Sequence, residues 1–512
     1  MPHSRALLSS MQISLASLWL LSGDFQIKFN KLKSNKAVLL FLIIFTVHIL
    51  GLINTTDFHS AFKDIKIKLP LLLFPVIIGT SERLGFKELK FIILIFTASI
   101  LLKSLYGIFS YFDLTGKEVN DIQNISGKFS HIRFSLMLNI SVFSMIFLLI
   151  HDNIKKKFFI KTVYSIIIVC LIIIIILIHS VTGWIVFLLL TIFSLYYFIK
   201  NSKNKVLKLS SIFILFGTLI FIVLFFVLSL NKFTKTQTID FSALDTHSKS
   251  GNIYYHDTLS TQKENEYFIN IYLCEKELKE EWNKTSEFKY SGKDKKGQYI
   301  KYTLIRYLSS KGLRKDKEGI QSLNTQDIRN IENGLTNYIF ENQIAIYPKL
   351  YEVFWQIKRY KGGGNPEGHS VTQRIEFIKT GIEIIKRKFW FGTGTGDLKK
   401  DYTEQYKISD TKLSEDYQLR AHNQYITFFI TFGIIGFLLF LFSYFYLPFI
   451  TKKFKDYLFM IVYILISLSM LNEDTLETQM GATMFAYFLC LYLFSEPLNM
   501  VAKQKTKLPK VK

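Results

Sequence analysis

The chain has 512 residues, 49% of them apolar, and a formal charge of +23. On a soluble chain such a charge points to nucleic acid, but here the lysines gather between long apolar runs, which removes that reading. Cys170 and Cys490 lie inside apolar runs and only Cys274 in a polar stretch, so a disulfide framework and a cysteine-based metal site are excluded.

Apolar runs fall near 6–22, 36–53, 67–80, 89–112, 131–150, 158–178, 181–199, 207–230, 423–449, 454–471 and 479–495. A bilayer crossing takes about 20 such residues. The first and third runs are short, and Pro70 and Pro75 in the third suit a broken or re-entrant helix. The expected fold class is an all-α polytopic integral membrane protein. It has about 11–12 transmembrane helices and a large periplasmic, mainly helical loop domain. The expected organisation is an N-terminal transmembrane bundle over 1–230, the loop domain over 231–421, C-terminal transmembrane helices over 422–497 and a basic cytoplasmic tail over 498–512.

Lysines orient these runs. Lys28, Lys31 and Lys33, then Lys155 to Lys157, Lys200 to Lys208, Lys452 to Lys455 and Lys503 to Lys512 mark alternate connections. The connection 471–478 has none, and holds Glu473, Asp474 and Glu477 instead. The positive-inside rule puts the lysine-rich set in the cytoplasm, where it also meets anionic lipid heads. Segment 231–421 is then outside. An odd number of crossings places Met1 outside with little to hold it, so a first helix is missing or one run does not cross.

The outer segment, roughly 190 residues, is too long for a simple connection. Charged residues alternate with Tyr, Trp, Ile and Leu over 267–282 and 338–360, as in amphipathic helices of a small cap. Ser291 to Gly297 reads as a turn and Gly362 to Gly368 as a hinge. Beyond the hinge, Ile375, Ile378, Ile382, Ile385 and Phe389 share one face of a helix over 372–390, with Gln373 and Arg374 in its first turn. That face suits the membrane surface or the cap. Gly392-Thr-Gly-Thr-Gly396 ends the helix. It lacks the dinucleotide spacing and follows a helix, so a tight turn is a better reading than a phosphate loop.

Other features carry less. Asn54-Thr-Thr and Asn283-Lys-Thr fit glycosylation sequons, which arise readily by chance. Lys103 is either a snorkelling side chain or an interior cation, and His131 and Arg133 are either interfacial anchors or functional. His369 is a loop histidine with no partner legible in the sequence.

The most informative pattern is His422-Asn423, nine residues, then Gly433-Ile-Ile-Gly436. It lies where the polar segment gives way to the apolar run Tyr425 to Leu447, which holds a titratable imidazole at a membrane surface. This pattern is similar to the signature of the bacterial O-antigen ligase family, which is related to the O-antigen polymerases. Gln373-Arg374 through Gly392-Thr-Gly-Thr-Gly396-Asp397 resembles that family's Arg–helix–Gly-turn element. Leu471 to Gly481, Thr303 to Asp316 and Gly368-His-Ser370 resemble members from Bacteroidetes-like bacteria.

The resemblance implies inverting glycosyl transfer at the outer face of the bacterial inner membrane. A glycan moves from undecaprenyl diphosphate to a lipid A–core or other acceptor sugar, without metal or nucleotide sugar. His422 is then the expected general base and Arg374 the cation for the diphosphate leaving group, since a guanidinium forks onto phosphate oxygens. Asn423 fixes the imidazole or binds sugar, and Arg420 is a second phosphate contact or a headgroup anchor. Gln373 and Arg133 complete the expected substrate-binding set. One departure stands out: the family usually carries a basic residue after a Ser near the outer end of a middle helix, and here Val181 follows Ser180. Arg133, Lys103 or His179 are the candidate replacements.

A polymerase joining lipid-linked repeat units shares the leaving group and stays open beside the ligase. A transporter or flippase is disfavoured, because the apolar runs hold few ionisable residues. A reporter fused after Lys249 should be active only in the periplasm and one after Lys455 only in the cytoplasm; activity of both on one side would overturn the orientation.

Overall fold

The computed structural model describes residues 4–112, 114–115, 126–127, 130–152, 158–342, 346–409 and 411–496. The tail expected over 498–512 and the lysines at 155–157 lie outside the described residues. Two compact units form, Met1–Leu215 with Gly362–Lys512, and Phe216–Lys361.

The chain begins with α1 (Arg5–Leu21), α2 (Phe25–Ser34), α3 (Lys36–Leu50), α4 (Phe58–Lys68) and α5 (Pro70–Thr80). Next come α6 (Phe86–Tyr111), α7 (His131–His151), α8 (Phe158–Leu177), α9 (Val181–Asn201) and α10 (Lys205–Thr234). The second unit holds a short antiparallel hairpin, β1 (Lys263–Glu264) and β2 (Tyr267–Phe268), with Glu264 opposite Tyr267. Around it lie α11 (Glu275–Thr285), α12 (Ile300–Ser310), α13 (Lys317–Gln321), α14 (Thr325–Glu332) and α15 (Ile346–Lys361). The chain then returns to the first unit through α16 (Ser370–Arg387), α17 (Leu398–Ile408), α18 (Gln424–Ile450), α19 (Tyr457–Asn472) and α20 (Gln479–Phe494).

Among the described residues, six helices (α6 to α10 and α18) are long and apolar enough to cross a membrane. The α1–α2 pair is a seventh candidate bent by 110°, and α3, α19 and α20 are shorter apolar helices. The chain is an all-α polytopic membrane protein. The run over 67–80 yields only the 11-residue α5, which starts on Pro70, where the missing N–H costs no helical hydrogen bond. α7 is buried along most of its length, and α19 and α20 pack into the same apolar core. The second unit has its own core, centred on Trp282, Leu304, Tyr307 and Leu308. There Asn324 and Asp327 form a reciprocal capping box on α14, and the Tyr307 hydroxyl donates to Asp327 over 2.7 Å.

α18 is broken in the middle of its apolar run. Gly433 takes φ 61° and ψ −171°, a conformation almost confined to glycine. Such a break deprives nearby carbonyls of their helical partners. The turn after α16 replaces them: the Thr393 and Gly394 N–H groups donate to the Ile430 and Thr431 carbonyls, both at 2.9 Å. In return the Ile434 N–H donates to the Phe389 carbonyl at 2.8 Å. Irregular backbone at membrane depth is tolerated when protein groups satisfy it in this way. Asp397 fastens the end of the turn, accepting from Thr56 N at 2.6 Å and Thr56 Oγ1 at 2.5 Å. The glycine run is therefore a docking turn. Asn54, from the first sequon, belongs to the same dock and donates to the Phe391 carbonyl at 3.1 Å.

α16 packs with only part of the face its isoleucines mark, Ile378 and Ile385 lying against the core. Phe377, Thr380, Gly381 and Ile384 are buried, whereas Ile382 and Phe389 stay exposed. Gly381 lets neighbours come close, the nearest being the Tyr402 hydroxyl, 2.7 Å from where its Cβ would stand. A Cβ there would also lie 3.1 Å from Ile426 and 3.2 Å from Ile430, so its absence lets α16 and α18 approach along this side.

A Cβ on Gly433 would sit 2.3 Å from the Trp390 carbonyl oxygen, while one on Gly217 of α10 would meet nothing within 4 Å. Gly433→Ala should therefore lower stability by about 3 kcal/mol or more, from backbone strain plus overlap. Gly217→Ala should be neutral or slightly stabilising. Thermal unfolding of the two detergent-solubilised variants checks this, and equal behaviour would refute the role of the break.

Candidate active site

His422 sits in the residue pair that leads into α18. Its backbone is left-handed, φ 49°, a conformation uncommon outside glycine and often found at functional positions. Asn423 caps the helix, its side-chain oxygen accepting from the Ile426 N–H at 3.1 Å. The Asn423 amide donates to the Leu471 carbonyl at 2.8 Å, which ties the start of α18 to the end of α19. The imidazole lies against Phe377 of α16, with ring centroids 5.9 Å apart.

Three arginines converge beside this histidine from separate parts of the chain. Arg133 comes from the first turn of α7, Arg374 from the first two turns of α16, and Arg420 from the loop before His422. Each is held by the acidic connection between α19 and α20. Glu473 takes Arg133 through one oxygen at 3.4 Å and Arg374 through the other at 3.7 Å. Arg420 reaches Asp474 at 2.8 Å and Glu477 at 3.5 Å. Glu477 also receives the ammonium of Lys68, from the end of α4, at 3.0 Å. Lys68 in turn binds Asp64 at 2.7 Å, with no exposed side-chain surface of its own.

Burial divides the labour within this network. The side chains of Glu473, Asp474 and Glu477 are 9%, 2% and 8% exposed, those of Arg133, Arg374 and Arg420 17%, 28% and 35%. The carboxylates are sunk and the guanidiniums keep a face open. Arg374 and Arg420, the more exposed two, have five fixed donors each with which to meet an incoming anion.

Electrostatics follow from the same arrangement. Burial, then the charges of Arg374, Arg420 and Arg133, push the His422 imidazole down to about 4. It is therefore neutral at ordinary pH and can accept a proton. Burial raises Glu473 and Asp474 above the usual carboxylate range, against the pull of the arginines. Burial works the same way on Glu477, but Lys68 and Arg420 outweigh it and hold that carboxyl low.

Of the residues expected from sequence, His422, Arg374, Arg420 and Arg133 come together here. Arg133 shares Glu473 with Arg374, so the cluster holds a cation from the N-terminal helices although Val181 carries no charge. Ser180, the neighbour of Val181, caps α9 by accepting from the Gly183 N–H at 3.2 Å. Thr182 accepts from Asn472, at 2.5 Å, which joins α9 to the acidic connection. Gln373 is half-buried beside Arg374. Lys103 lies over the Tyr106 ring at 5.6 Å, on α6. Sequence reasoning did not assign Glu473, Asp474, Glu477, Asp64 or Lys68 to the site. The signal available was a connection that has no lysine and holds three carboxylates within five residues.

An all-α polytopic membrane protein with a histidine ringed by arginines at one helix mouth is the class that fold and site define. Residues 325–441 match the family model described as O-Antigen ligase. This match supports membership of the chain in the O-antigen ligase family, whose members are glycosyltransferase-like enzymes of ligase or polymerase type acting on lipid-linked glycans. The matched region contains Arg374, Arg420, His422, Asn423, Gly433 and Gly436, while Arg133, Lys68 and the acidic connection lie outside it. No curated protein and no solved structure matches the chain.

Glu473 anchors two of the three arginines, so Glu473→Gln should lower glycan transfer about 100-fold, the scale of a misplaced binding group. Glu473→Asp should recover part of it. Transfer in proteoliposomes, normalised to inserted protein, reads the effect; full activity of the glutamine variant would remove Glu473 from the site.

Proposed function

We propose that this protein is an inverting, metal-independent glycosyltransferase of the bacterial inner membrane, with its active site facing the periplasm. It moves a glycan from undecaprenyl diphosphate to a lipid A–core sugar or another periplasmic acceptor. The observation that supports this reading best is the neutral imidazole of His422 ringed by Arg133, Arg374 and Arg420. A diphosphate leaving group carries charge that grows as its bond to the sugar breaks, and fixed guanidiniums stabilise that charge without reorganising. An acceptor hydroxyl is a poor nucleophile, and a positioned neutral imidazole can take its proton.

In the proposed step the acceptor oxygen attacks the anomeric carbon from the side opposite the diphosphate. The carbon–oxygen bond to the diphosphate breaks with its electron pair, and undecaprenyl diphosphate leaves against the arginines. His422 takes the hydroxyl proton. Gln373 and Asn423 flank the cation and the base, Asn423 with its amide engaged at the helix start. The polymerase alternative uses the same steps with a lipid-linked repeat unit as acceptor. Glycan profiling of a deletion strain separates the two: accumulated lipid-linked chains indicate a ligase, single repeat units on the core a polymerase.

The charge pattern also predicts how donor and base are coupled. Burial and then the arginines lower the His422 pKa in the free enzyme, so a bound anion that offsets the arginines must raise it. Hence the acid limb of kcat/KM, which reports free enzyme, should lie below that of kcat, which reports the donor complex. Arg374→Ala should move the free-enzyme limb upward towards 6.5, the ordinary histidine value. His422→Ala and His422→Gln should insert normally and lose about 10²–10⁴-fold in rate. Near-native turnover in either variant would dismiss the general base.

A further inference from the structure

A second cavity opens at the other end of α18 from His422. It has a volume of about 800 Å³ and is lined by the ends of α2, α5, α18 and α20 and the start of α3. Lys31, Lys36, Arg83 and Lys453 line it, with Glu82 as its one acidic lining residue. Lys453 is buried and already engaged, donating to Asp456 at 2.7 Å and to the Tyr492 carbonyl at 2.9 Å. Lys31, Lys36 and Arg83 are exposed and form no ion pair among the described residues. Ile78, Ala37, Ile450, Leu493 and Phe494 line the same space with apolar surface.

Several helix C-termini converge here, and their partial negative charge accounts for some lysine. Lys453 meets that need directly, through its bond to a carbonyl at the end of α20. Three unpaired cations against one carboxylate leave an excess that the helix ends do not absorb, in a concave space between apolar helices. We infer that this cavity binds the phosphate headgroup of an anionic phospholipid, at the membrane face opposite the candidate active site. The apolar lining selects a lipid over free phosphate, because it offers acyl or glycerol carbons a surface beside the cations. Basic pockets between membrane helices hold anionic headgroups on the same principle. This site is independent of the glycosyltransferase reading and stands or falls separately.

Full-length protein in detergent, delipidated and then supplied with phosphatidylglycerol or phosphatidylcholine, tests it by native mass spectrometry. The wild type should retain phosphatidylglycerol preferentially. Lys31→Gln, Lys36→Gln and Arg83→Gln should each weaken retention about fivefold, the effect of one cation near an anionic headgroup. Lys31→Arg with Lys36→Arg should retain it, which separates lost charge from lost fold. Millimolar inorganic phosphate should not displace the lipid. Equal retention of the two lipids, equal retention by wild type and the glutamine variants, or full displacement by inorganic phosphate would each overturn the assignment.

Discussion

A carboxylate taken out of water must find a cation or lose its charge, and five acidic or basic segments of this chain answer to that constraint. Glu473, Asp474 and Glu477 sit within one short connection and are almost fully buried. An isolated buried charge is prohibitively costly, whereas a paired and hydrogen-bonded one is tolerated. Arg133, Arg374, Arg420 and Lys68 supply the pairing from four places far apart in the chain. The connection therefore gathers α4, α7, α16 and the loop before α18 around a single point. Such ion pairs are weak evidence for stability; here they set position, and what they position is the ring of cations beside His422.

The second constraint is the broken α18. A helix that crosses an apolar region unbroken satisfies its own backbone, and one that breaks must borrow partners. The glycine turn after α16 supplies them, so the break fastens α16 to α18 at one end while Gly381 allows close contact along the shared face. Arg374 lies at the opposite end of α16, next to the helix mouth. The long lever from the Gly433 dock to Arg374 is thus held rigid by backbone bonds rather than by side chains alone. Gly433 of the histidine motif and the glycine run upstream thus belong to one device.

Charge and protonation are coupled by the same geometry. Burial first, and then the three guanidiniums, keep the neighbouring imidazole neutral. On the proposed reading, an anion bound at the arginines offsets their part of that effect, and one set of residues prepares both the base and the leaving-group cradle.

Much was legible in the sequence because it rests on local or periodic physics. Apolar run lengths disclosed a helical membrane protein, turn chemistry marked Gly392 to Gly396, and His422 and Arg374 stood out by residue type and by family pattern. A polar loop domain was expected over 231–421; the second compact unit runs over Phe216–Lys361, and from Gly362 the chain groups with the first unit. Pairings remote in sequence were beyond reach. Glu473 and Arg133 are 340 residues apart, and Lys68 and Glu477 are 409 apart. Nothing in either neighbourhood names the partner. The packing of α16 was legible in part: Ile378 and Ile385 of the expected face pack into the core, but the close approach at Gly381 leaves no mark in hydrophobic periodicity, which counts apolar residues and not a missing side chain. Local chemistry determined which residues could do the work, and tertiary structure decided which of them meet, because a buried charge is satisfied by proximity in space and not in sequence.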